Sequence, residues 1–156
     1  MDWIEQRQLE QEKDKAAKQA ETDRALFAAH VLQKEAPQFW TELMGILRST
    51  VSRLDSIGVR GTVSDTSTSI ENACQVAVSV TNALFPQTTH TNLFYRNGDR
   101  HIRCHPVDVP AYNFEFQVSE TRGMGVVPSD GHAHLDPARA AERIVRPMVE
   151  RIQRGR

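Results

Sequence analysis

Three groups of residues in this chain are of types that do chemistry. Residues 101–105 read His-Ile-Arg-Cys-His, which offers His101, Cys104 and His105 as nitrogen and sulfur ligands for zinc. Residues 132–136 read His-Ala-His-Leu-Asp, two imidazoles and a carboxylate at alternate positions. Towards the end of the chain Arg139, Arg143, Arg146 and Arg154 make a cationic stripe, a pattern that binds phosphates when its charge is free. What each group can do depends on the element that carries it.

The first group lies on the second strand of a β-hairpin written almost in full: His-Thr-Asn-Leu-Phe-Tyr-Arg (90–96), Asn97-Gly98, then Asp-Arg-His-Ile-Arg-Cys-His (99–105). Asn-Gly between alternating apolar residues predicts a two-residue type I′ turn, which needs φ > 0 at both central positions. Such a turn sets a register with Arg96 against Asp99, Phe94 against His101, Leu93 against Ile102, Asn92 against Arg103, and His90 against His105. Alternation then gathers Leu93, Tyr95, Ile102 and Cys104 on an apolar face. His90, Asn92, Phe94, His101, Arg103 and His105 share the polar one.

Cys104 thus points away from both histidines, and His101 and His105 stand roughly 13 Å apart at ~3.3 Å per residue. Zinc holds its ligands at about 2.0–2.3 Å, so a regular strand cannot chelate with this string as a unit. His90 and His105, as cross-strand neighbours, are the pair that can share an ion, with no evident third ligand. Together with Glu115 on a later strand, His90, Asn92, His101, Arg103 and His105 form a candidate surface for a small ligand.

The second group is similar, over five residues, to the first ligand block of metallo-β-lactamase-fold hydrolases. Pro137 stands where that family has its next histidine, and the chain after Asp136 holds neither His nor Cys, so the likeness implies no ligand set here. Asp136-Pro137 reads instead as the N-cap and first residue of a final helix, and Asp130-Gly131 as a turn. In the third group, Glu142–Arg146 and Glu150–Arg154 are favourable i,i+4 pairs, which marks a solvated, self-neutralising face. Nucleic-acid binding through these arginines is the weakest reading. No phosphate-cradling glycine loop and no serine in a nucleophile elbow is present, so nothing argues for an enzyme and no cofactor is implied.

The elements that carry these groups follow from hydrophobic period. Phe39, Trp40, Leu43, Met44, Ile46, Leu47, Val51, Leu54 and Ile57 fall on one broad face of a helix over 37–57. Pro37 suits its first turn, or kinks one longer helix, and Gly58 supplies a stop. Ala138, Ala141, Ile144, Val145, Met148, Val149 and Ile152 give the core face of a helix over 137–153, with Pro147 interrupting it. Strands are expected over 74–80, through the hairpin, and over Tyr112–Val118. Residues 59–72 read as a weak strand or loop and 121–128 as a short edge strand. Helices before and after a run of antiparallel strands indicate α+β, with about four or five strands packed on one face by the two helices.

Residues 1–35 differ from the rest. They are rich in helix formers and lack any large apolar side chain between Leu9 and Leu26. They read as a polar helical arm preceding a single α+β domain over 36–156. Trp3, Ile4, Leu9 and Phe27 are its candidate contacts for a partner or a second copy.

The chain is 39% hydrophobic and 25% charged with a net charge of −1, which suits a globular protein and by itself implies no nucleic-acid or anionic-membrane partner. Two cysteines, no signal-like apolar run and no membrane-length segment suggest reduced thiols in a cytoplasmic protein. The expected function is non-catalytic: an interaction or assembly module, homo-oligomeric through the arm or the open sheet face. The alternative is a small-ligand- or metal-binding protein using the polar sheet face.

Overall fold

In the computed structural model, which describes residues 2–80, 87–119 and 123–154, two helices enclose one face of a six-stranded antiparallel sheet. The elements run α1 (Trp3–Ser52), β1 (Arg60–Asp65), β2 (Asn72–Val80), β3 (Gln87–Tyr95), β4 (His101–Pro106), β5 (Tyr112–Ser119), β6 (Gly123–Pro128) and α2 (Pro137–Arg154). Spatial order equals chain order, so each strand pairs with the one before it. The α+β class and its antiparallel sheet stand as expected, with six strands rather than four or five. Each of the two uncertain segments holds a strand, β1 within 59–72 and β6 within 121–128, and both strands are sheet edges. Residues 121 and 122 of the expected edge strand lie outside the described residues.

The arm and the amphipathic helix are one element. Asp2 caps α1 by accepting a 2.8 Å hydrogen bond from the Glu5 N–H, and Pro37 lies inside the helix. The α-helix ends at Ser52; Leu54–Ile57 is a 3₁₀ turn closed by Gly58. That tightening swings Ile57 to the surface, where it is exposed instead of joining the core. All buried residues of α1 fall between Ala36 and Val51.

The inner face of the sheet carries Val76, Val78, Leu93, Tyr95, Ile102, Phe114, Phe116 and Val126, all buried. α1 packs against β1, β5 and β6, α2 against β2 and β3, and the helices against each other. Aromatic rings knit α1 to the sheet: Phe39 meets Phe116 edge-on at 5.6 Å, and Trp40 lies 5.8 Å from Tyr95. At Gly61 the β1 backbone comes so close to α1 that an added Cβ would sit 2.6 Å from the Cβ of Val51.

α2 begins as expected, with the Asp136 carboxylate accepting from the Arg139 N–H at 2.8 Å. It runs through Pro147 to Arg154. Ala140 is buried where Ala138 was the expected core residue; Ala138 is exposed.

The hairpin differs from expectation in its turn. The Asp99 N–H donates to the Arg96 carbonyl at 2.9 Å, with Asn97 and Gly98 between them. Gly98 has φ +92° and Asn97 does not have positive φ, which excludes type I′ and matches the φ requirement of type II. The strands end at Tyr95 and resume at His101. Leu93 therefore faces Cys104, Phe94 faces Arg103 and Asn92 faces His105, a displacement of two residues from the type I′ register. A displacement of two preserves the side of the sheet on which each residue lies.

Candidate functional site

The outer face of the sheet is uncovered by either helix and carries His90, Asn92, His101, Arg103, His105 and Glu115. The six do not converge. His105 faces Asn92, and His90 faces Ala77 on β2 while its carbonyl accepts from the Val107 N–H at 3.1 Å. The expected His90–His105 neighbour pair is therefore not formed, and with it goes the two-histidine metal site. Among the described residues no three His, Cys, Asp or Glu side chains are grouped to hold a metal ion.

Arg103 is engaged on two sides. Its Nη2 donates to Glu71 Oε2 at 2.6 Å and its guanidinium lies 5.3 Å from the Phe94 ring centroid. The His105 ring meets the same phenyl edge-on at 5.4 Å. Arg96, expected to pair with Asp99 across the turn, reaches 3.8 Å from Glu71 instead. Glu71 is the residue that sequence reasoning missed. It ends the β1–β2 connection, and the Asn72 amide, which donates to Asn97 at 3.2 Å, ties that connection to the hairpin tip.

A depression of about 280 Å³ does form on the β5 side of Arg103, where His101 on β4 faces Glu115 on β5. Asn113 and Gln117 extend it, and His132 enters from the 129–134 loop. That loop is held down by His134, whose Nε2 donates to the Gln117 carbonyl at 3.2 Å. Of the His-x-His-x-Asp string, then, His132 borders the sheet face, His134 anchors a loop and Asp136 caps a helix. The Asp130-Gly131 turn was the signal for this return of the chain onto the sheet.

Three of the four arginines in the α2 stripe, Arg143, Arg146 and Arg154, are ion-paired. Arg143 bonds Asp130, and Arg146 bonds Glu142 and Glu150 at 3.2 and 3.0 Å. Arg154 lies 3.9 Å from Glu150.

The thiols are buried on the inner face. Cys74 and Cys104 both face Leu93, from opposite sides. Two strand spacings of ~4.8 Å put their Cα atoms beyond disulfide reach. Burial pushes the Cys74 thiol up to about 12 and the Cys104 thiol well above its ordinary value. Tyr112, opposite Cys104, is likewise pushed up by burial.

The arm presents a different kind of surface. From Asp2 to Phe27 every residue except Ala20 is exposed. Trp3 is 72% and Phe27 65% exposed, with Ile4, Leu9 and Leu26 also open to solvent. No family model, curated protein or solved structure matches the chain. Among the described residues no helix is long and apolar enough to cross a membrane.

Proposed function

We propose that this protein is an assembly module that joins a second copy of itself through the N-terminal arm of α1. The observation that carries this reading is a helical arm roughly 40 Å long, at ~1.5 Å per residue, that buries almost nothing against its own body. A helix of this kind is marginal alone in water, because most helical stability in proteins comes from packing an apolar face.

A second copy suits the arm's charge. Residues 2–14 hold Asp2, Glu5, Glu10, Glu12 and Asp14 against Arg7 and Lys13; residues 15–34 hold Lys15, Lys18, Arg24 and Lys34 against Glu21 and Asp23. Two arms laid antiparallel place each acidic half beside the other's basic half. They also bring Trp3 and Ile4 level with Leu26 and Phe27 of the partner arm.

The test is the mass of the full chain by analytical ultracentrifugation, alone and with Leu9→Glu and Phe27→Glu. A dimer that the double substitution turns into a folded monomer supports the reading. A wild-type monomer, or a dimer indifferent to both substitutions, overturns it. The second reading, a small polar ligand on the sheet face, draws its support from the His101–Glu115–His132 depression.

A further inference from the structure

A second cavity, of about 400 Å³, lies on the helix-covered side of the molecule between α2 and the connection from β4 to β5. It is remote in character from the polar sheet face: its walls are Val109, Pro110 and Ala111 on the connection and Ile144 and Pro147 on α2. Thr91 and Tyr112 line it from the sheet. Thr91 is 1% exposed, and its hydroxyl is bonded to the Met148 sulfur at 3.3 Å, a weak acceptor.

Arg143, Pro147 and Arg151 follow one another at four-residue spacing, so they stand on one face of α2 with the proline between the two arginines. Both arginines line the cavity, and so does Asp130, the carboxylate partner of Arg143, which leaves the Arg151 end as the more favourable one for an anion. Each is tied to a flanking loop by one hydrogen bond: Arg143 Nη2 to Asp130 Oδ1 at 2.8 Å, and Arg151 Nε to Asp108 Oδ2 at 3.0 Å. A guanidinium carries five N–H donors, and neither pair is the bidentate fork that would occupy two of them. Donors therefore remain at both ends of an apolar slot. Pro147, having no N–H, also leaves the Arg143 carbonyl without its helical donor.

We infer that this cavity is a binding site for a small organic acid with an apolar body. Its carboxylate sits on Arg151, and its apolar part lies on Val109, Pro110, Ile144 and Pro147. Arg151 is the better anchor because its side chain is 25% exposed against 45% for Arg143, so its charge is less screened. The cavity falls within the ~300–1,000 Å³ range of small-molecule sites. The site does not involve the arm, so it stands or falls separately from self-association.

Octanoate, below its micellar concentration, is the probe, titrated into the full ¹⁵N-labelled chain and followed by amide chemical shifts. Saturable shifts centred on Val109, Ala111, Ile144 and Arg151 are expected. Arg151→Gln should weaken binding at least tenfold, and octanol should bind more weakly than octanoate. Because Arg151→Gln also removes the Asp108 bond, Ala111→Trp serves as a second variant: it places a bulky ring at the cavity wall while leaving both arginines in the sequence, and should abolish the shifts. Absence of saturable shifts, shifts centred elsewhere, or octanoate affinity unchanged in either variant overturns the inference.

Discussion

Cys74 and Cys104 flank Leu93 on the inner face of the sheet, and the burial that removes them from water also removes their reactivity. The thiolate is the nucleophile, and an ordinary cysteine near pKa ~8.5 supplies some of it at neutral pH. With Cys74 pushed up to about 12 and Cys104 pushed well above its ordinary value, neither supplies it at pH 8. A disulfide reagent such as Ellman's should label neither thiol in the folded protein and both after unfolding in guanidinium. Rapid labelling of either in the native state would show that its strand faces the wrong way. The inward facing of Cys104 is legible in the sequence because parity along the strand survives a two-residue change of register. The partner of His105 is not legible, because it depends on the φ of Asn97 in the turn. Glu71 is illegible for a similar reason: its reach to Arg103 is set by the fold of a Ser- and Thr-rich connection with no periodicity of its own.

β1 is the element with the least to announce it, a run of Arg, Gly, Thr, Val, Ser and Asp at the sheet's edge. It is held by what it lies against. Gly61 permits the close approach to Val51, and Gly61→Ala forces the strand and α1 apart. Overpacking of this kind costs typically 1–3 kcal/mol, so the urea midpoint should fall with the slope unchanged. Gly45→Ala is the control: nothing lies within 4 Å of its added methyl, and in mid-helix it should raise stability by up to about 1 kcal/mol. An unaffected Gly61→Ala protein would place β1 elsewhere. Helical period makes the two apolar faces readable from the order of residues alone, except at Ile57 and Ala138, which it places in the core and which are exposed. The continuity of α1 through Pro37 is not readable, since a proline suits a first turn and a kink equally. Burial of Ala36, Phe39 and Trp40 around it favours the unbroken helix.

At the scale of the molecule, arm and body share one helix but little of one core: nothing described before Ala36 is buried, and Leu32, partly buried, is where the arm meets the core. If the arms pair, association stabilises the arm alone, and mass action makes that part of the stability depend on protein concentration. Melting followed by the helical circular dichroism signal should then show two steps. The first, from the arm, should move up with concentration; the second, from the body, should stay fixed. One concentration-independent transition would contradict self-association through the arm. The sheet's strictly sequential strand order bears on something else, the making of the protein. Each strand can pair with its predecessor as soon as it is synthesised, and such local pairings form quickly. The inner face nevertheless waits for α2, the last element in the chain, to bring Ile144, Val145, Met148 and Ile152 onto it. A chain interrupted before α2 presents a sheet whose apolar face is uncovered over β2 and β3, the kind of surface that invites aggregation and chaperone capture. Closing the core with α2 makes the arrival of that helix a condition of solubility.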